Sequence, residues 1–210
     1  VIYCDMDPEE LKKPSVHSDM AVQADAKDLL ETMAQVLREE YGETAPVFDG
    51  GHGLPGKTWN ETCRMWRETY PVIQPKHLAP SGDKEANVYA LVQELSSRLA
   101  EDQVTVVGNG SACVVGGHAY ILKKGQRFIT NSAIASMGYD LPAAIGACMA
   151  VHDPAYPDDP MGRHDVILLT GDGSIQMNIQ ELQTIIHHRM PIKIFLINNG
   201  GYHSIRQTQK

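Results

Sequence analysis

Two short polar runs, each closing an apolar stretch, carry the side chains best suited to chemistry. The run 165–170 leads into Gly171-Asp172-Gly173-Ser174, and the run 192–197 leads into Asn198-Asn199. Asp172 and Asn199 lie 27 residues apart (199 − 172), the length of one turn-helix-strand crossover. If the two strands are parallel neighbours, both residues emerge at the carboxyl edge of a sheet, where open α/β sheets bind ligands. A carboxylate and an amide oxygen meeting there suit magnesium, which takes oxygen ligands at about 2.0–2.1 Å and is commonly shared between a few protein groups and the phosphates of a ligand. Gly171 and Gly173 have no Cβ to hold the backbone away from a diphosphate, and Ser174 adds a hydroxyl donor. A GDG triplet alone is equally an ordinary tight turn after a strand. The crossover to the Asn pair is what raises it above that reading.

Behind the triplet, Ile175, Ile179, Leu182, Ile186 and Met190 recur at intervals of three or four. They predict a helix over about 179–189, with Asn178 and Glu181 at capping-box spacing and Pro191 as its stop. Upstream the pattern alternates: a helix over 88–100, a strand at 104–107, a loop at 108–111, a helix-like stretch, a strand near 128–130 and a helix over 141–151. Such alternation predicts an α/β fold over 86–210, a parallel sheet with helices on both faces. Residues 1–38 read as the tail of a preceding domain. They hold a buried strand at 1–4 and a helix over 26–38 that Asp25 caps, with Leu29, Leu30, Met33, Val36 and Leu37 on one face.

Residues 39–85 read as a linker, punctuated by Gly50-Gly51-His52-Gly53, Pro55, Pro71, Pro75 and Pro80. Within it a short helix from Trp59 to Tyr70 is expected, Trp59, Cys63 and Trp66 sharing a face, and Pro71 ending it. The chain starts inside a strand-like run and stops at Lys210, just past the second polar run. A piece of a longer protein, with its sheet incomplete at the C-terminus, is therefore expected.

With 42% hydrophobic residues in 210, the chain can bury one sizeable core. A formal charge of -8 with no basic block opposes nucleic-acid phosphates. Cys4, Cys63, Cys113 and Cys148 form no CxxC pair, which argues against both a zinc site and a disulfide framework and fits reduced thiols in a cytoplasm. No signal peptide and no apolar run of about 18 residues is present, so a soluble protein without membrane insertion is expected.

The run GDGSIQMNIQELQTIIHHRMPIKIFLINNGGYHSI resembles the thiamine-diphosphate signature of acetolactate synthase and its relatives, pyruvate oxidase and benzoylformate decarboxylase among them. The resemblance continues through ASMGYDLPAAIGACMA, and VIYCDMDPEELKK looks like the end of the family's middle domain. It implies the thiamine-diphosphate-binding domain, with Asp172, Asn199 and the backbone carbonyl of Gly201 on magnesium and Gly173 and Ser174 on the diphosphate. It adds Gly110, Ser111, Ser136, Gly171 and Tyr202 to the cofactor surface. Met137 stands where the family puts a bulky apolar side chain that bends the cofactor; without the resemblance it is a core methionine.

Two departures touch the reaction rather than the cofactor. Ser111-Ala112 stands where acetolactate synthases usually have Gln-His, and Asn131-Ser132-Ala133 replaces a glycine-rich stretch. For the parent enzyme the resemblance implies decarboxylation of a 2-oxo acid such as pyruvate and transfer of the bound unit to a second carbonyl. A decarboxylase, oxidase or acyl-CoA lyase of the same family is the alternative. The glutamate that activates the cofactor would come from a pyrimidine-binding domain on a second subunit of a homodimer or homotetramer. No catalytic residue is therefore expected within these 210 residues, which would be inactive alone.

Two further readings compete. A magnesium-dependent phosphatase also uses a GDG triplet, but it needs a nucleophilic aspartate, for which Asp5-Met6-Asp7 is the candidate. A non-catalytic paralogue would bind the cofactor and assemble with an active partner. The small residues Ala143, Ala144, Gly146 and Ala147 permit close packing against another helix. His187 and His188, adjacent at a helix end, should point apart and share no metal, and His52, His77 and His118 read as bystanders.

Overall fold

The computed structural model describes residues 1–15, 17–42, 56–79 and 85–209, and its contacts divide the chain into two units, Val1–Tyr70 and Pro71–Lys210. The Gly50-Gly51-His52-Gly53 run, Pro55, Pro80 and Lys210 lie outside the described residues.

In the first unit, β1 (Ile2–Asp5) pairs in parallel with β2 (Met20–Gln23), Ile2 opposite Met20, and a 3-10 turn at Glu10–Lys12 lies between them. The sequence reading missed β2, whose MAVQ is too short to show a period. It also expected β1 to be buried. Ile2 is 55% exposed, because the two-stranded sheet leaves it uncovered. Helix α1 (Ala26–Tyr41) starts where Asp25 was expected to cap it, the carboxylate accepting from the Lys27 N–H at 2.7 Å. Its apolar face is largely unburied: Leu30, Met33 and Val36 are exposed, and only Leu29 and Leu37 of the five expected residues are half-covered. Helix α2 (Trp59–Thr69) opens with a full capping box between Thr58 and Glu61 and sets Trp59 edge-on to Trp66, ring centroids 5.5 Å apart.

The second unit contains α3 (Pro75–Leu78), α4 (Val88–Arg98), β3 (Val104–Val107), α5 (Ser111–Ala119), β4 (Arg127–Thr130) and α6 (Asp140–Val151). It continues with β5 (Val166–Gly171), α7 (Asp172–Gln176), α8 (Glu181–His187), β6 (Ile192–Ile197) and α9 (His203–Thr208). The expected α/β architecture is present: a parallel four-stranded sheet in the order β4-β3-β5-β6, Val106 opposite Leu168 and Gly171 opposite Ile197. The two-residue period of the strands sends Val104, Val106, Val166 and Leu168 to one face, where they pack with Leu141, Ala144 and Cys148 of α6 and Ile185 of α8. Val107, Leu169 and Ile197 face the other way, against Val92 of α4 and Ala112, Val115 and Ala119 of α5. Continuous apolar strands are what a sheet covered on both faces requires.

The segment after β5 departs from expectation. A single helical phase from Ile175 would bury Ile186, yet Ile186 is 69% exposed and Ile185 is buried. Residues 177–180 form turns between α7 and α8, and the break resets the phase. Asn178 does not cap α8 either: its amide donates to the Gly138 carbonyl at 2.6 Å, and α8 begins without a side-chain cap.

The chain leaves β3 through α5 to reach β4 on one side, then crosses by α6 to β5 on the other. The loops after β3 and β5 therefore part toward opposite faces and open a crevice at the carboxyl end of the sheet.

Candidate functional site

That crevice holds a cavity of about 210 Å³, lined by residues from the ends of β3, β5 and β6 and by Met137. Of the residues singled out in the sequence, Gly110, Ser111, Met137, Gly171, Asp172, Gly173, Ser174, Asn199 and Tyr202 all line it. Ser136 is exposed and stands outside the lining. Gly201 is also outside, but its N–H donates to Asp172 Oδ2 at 2.7 Å, tying the loop after β6 to the carboxylate at the tip of β5.

The β5–β6 register places Gly171 opposite Ile197, so Asp172 and Asn199 follow the last paired residues of neighbouring strands. The Asn199 amide nitrogen lies 3.4 Å from Ser111 Oγ, and its Oδ1 is buried with no hydrogen-bond partner among the described residues. A buried acceptor left unmatched costs about 1–3 kcal/mol unless something supplies the missing partner. With the Asp172 carboxylate lining the same cavity, the pair offers the oxygen donors that a hard divalent cation takes.

Glycine is required at one of these positions and leaves open space at another. Gly110, at φ 71° and ψ -135°, holds a backbone conformation closed to L side chains, and it turns the chain from β3 into α5. A Cβ on Gly173 would make ordinary contacts, 3.5 Å from Met137 Cε and 3.6 Å from Tyr202 Cε1, and would fill space between those two side chains that the glycine leaves open. Ser174 Oγ accepts from the Gly138 N–H at 2.9 Å, which leaves its own hydroxyl proton to donate elsewhere.

Residues 108–210 match the family model described as "Thiamine pyrophosphate enzyme, C-terminal TPP binding domain". The carboxyl-terminal half of this chain belongs to that family. The whole chain aligns with acetolactate synthase large subunits: 29% identity over 210 residues with that of Porphyra purpurea, covering 100% of this chain and 31% of that protein. Against two Escherichia coli K12 proteins, the isozyme 3 and isozyme 2 large subunits, identity is 27% over 209 residues and 30% over 218. Each alignment covers 100% of this chain and 32% of the relative. The chain thus spans about a third of the length of these curated relatives.

Several residues of this thiamine pyrophosphate-binding domain were not visible as site residues. Asn109, His203, Ser204 and Ile205 also line the cavity. Asn109 bridges two loops, its amide donating to the Ala135 carbonyl at 2.6 Å; an Asn between two glycines was the signal that could have found it. Asp140 lies fully buried at the start of α6, where it accepts from the Thr170 hydroxyl, and its Oδ1 has no partner among the described residues. A Cβ on Gly108 would come within 2.5 Å of Asp140 Oδ2, so residue 108 has no room for any side chain.

The remaining polar candidates are not among the residues that line the cavity. Asp5 and Asp7, the phosphatase-type candidates, belong to the first unit. All four cysteines are free, and burial, with Asp165 adding to it, pushes the Cys148 thiol up, away from thiolate character. His77 and His118 stack on Tyr89, with centroids 5.2 and 6.4 Å away, while His52 lies outside the described residues. His187 and His188 do not point apart as expected. Their rings meet edge to face at 4.8 Å, because α8 ends at His187 and His188 has left helical geometry. No group of three or more His, Cys, Asp or Glu placed to hold a metal occurs among the described residues. No helix among them is long and apolar enough to cross a membrane.

Proposed function

We propose that the second unit binds thiamine diphosphate together with magnesium, Asp172 and Asn199 supplying side-chain oxygens to the metal and Gly201 its carbonyl. The observation that carries this reading is the buried, unpartnered Oδ1 of Asn199, a residue that lines the same cavity as Asp172. The Gly201 N–H fixes the Asp172 carboxylate, the Ser174 hydroxyl donates to the diphosphate, and Gly171 and Gly173 let the backbone approach it. Met137, beside Gly173, supports the ring portion of the cofactor.

The bound cofactor would supply a nucleophilic carbon for chemistry at carbonyl groups. By likeness to the acetolactate synthases, the parent protein is a transferase or lyase that decarboxylates a 2-oxo acid and transfers the remaining unit to a second carbonyl. The glutamate that activates the cofactor would come from a pyrimidine-binding domain on a partner subunit of a homodimer or homotetramer, so these residues alone would turn nothing over.

Calorimetry with thiamine diphosphate, with and without magnesium, tests the binding step. A metal-dependent heat in the wild-type protein that vanishes in Asp172→Ala is expected. A wild-type protein giving no heat, or the same heat without metal, would sink the reading.

A further inference from the structure

Gly138 is held on both sides of its backbone by side chains from the segment after β5. Its N–H donates to Ser174 Oγ at 2.9 Å, and its carbonyl accepts from Asn178 Nδ2 at 2.6 Å. The residue is locked in turn by its φ of 80°, and a Cβ there would come within 2.9 Å of both Asn178 Nδ2 and Met177 Cβ. Asn178 is itself oriented, its Oδ1 accepting from Gln180 Nε2 at 3.1 Å. Met137, the residue next to this clamp, places its Cε 3.5 Å from the Cβ position of Gly173.

From this geometry we infer that Asn178 is a positioning residue: through the Gly138 carbonyl it sets the height of Met137 above Gly173, and so the space left for the ring portion of the cofactor. The inference rests on the reading of the cavity as a thiamine diphosphate site. Asn178 does not line the cavity. Its effect reaches a ligand through the backbone of the 131–139 loop, which carries Met137 itself, whereas Asp172 and Asn199 follow the ends of β5 and β6 and Ser174 meets that loop only through the Gly138 N–H. The two halves of the ligand should therefore respond differently to its loss.

In Asn178→Asp, a carboxylate oxygen replaces the donor and faces the Gly138 carbonyl, two acceptors without a proton between them. Asn178→Ala only removes the donor. The test measures binding of thiamine diphosphate and of inorganic diphosphate, each with magnesium, to the full wild-type chain and both variants, with thermal unfolding run alongside.

Thiamine diphosphate should bind about tenfold more weakly to Asn178→Ala, the equivalent of one hydrogen bond, and more weakly still to Asn178→Asp. Inorganic diphosphate, whose only link to the clamp is Ser174, should lose clearly less affinity than thiamine diphosphate in both variants. Equal losses for both ligands, or a thiamine diphosphate affinity unchanged in both variants, would overturn the positioning role. A wild-type protein that binds neither ligand would instead reject the cofactor reading itself.

Discussion

The two ends of the four-stranded sheet are built from the same apolar strands and finished in opposite ways. At the amino end polar groups are matched: the Gln103 amide, 5% exposed, donates to the carbonyls of Val104 and Asp165, the Val166 N–H donates to Pro191, and Lys193 pairs with Asp165 at 2.7 Å. At the carboxyl end the chain leaves Asn199 Oδ1 buried and unmatched among the described residues and keeps glycine where backbone must come close. One end is finished for stability, while the other keeps donors and acceptors in reserve for a ligand.

The contrast can be broken by substitutions that move binding and stability separately. The largest separation is expected for Asn199→Ala, which removes a proposed metal donor together with a poorly satisfied buried amide. Magnesium-dependent affinity for thiamine diphosphate should fall by about 3 kcal/mol, roughly 100-fold, while unfolding stability stays within about 0.5 kcal/mol or rises. A parallel loss of both would mean that the carboxyl end is a structural element after all.

Gly108→Ala comes next, since its Cβ would press on the buried Asp140 carboxylate beneath the crevice. Urea unfolding should show a loss of about 2 kcal/mol. At the amino end, Gln103→Ala should cost about 1–2 kcal/mol of stability, leaving carbonyls without their donor, with no change in the affinity of the folded protein. Lys193→Ala should be the mildest. The ion pair is 64% and 40% exposed on its two sides, and its loss should cost about 0.5 kcal/mol or less and be masked by salt.

Much of the second unit could be read directly from the residues. The apolar runs 166–170 and 192–197 have strand length, and the polar residues closing them fall at one edge because consecutive parallel strands point the same way. What could not be read depends on partners distant in the chain. Asp140 takes its role from Thr170 and Gly108, and Asn109 from Ala135. Nothing in the local pattern of Asn178 distinguishes a helix cap from a hydrogen bond to Gly138, because either role satisfies its amide. The phase error at Ile185 and Ile186 has the same origin: turns at 177–180, made around that hydrogen bond, reset a period that a linear reading carries straight through. In the first unit the helix cap at Asp25 is local and legible, whereas β2 is defined only by its pairing with β1.

The crowding between Gly108 and Asp140 also sets a rule of substitution. Any side chain at 108 needs the volume that the carboxylate at 140 occupies, so the two positions, one after β3 and one opening α6, are bound to change together. Gly108→Ala should be tolerated once Asp140 is replaced by glycine, although either change alone disturbs the ground on which the crevice stands. A pair of neutral neighbours there would be as consistent a solution as the present one, and sequences mixing the two should be rare.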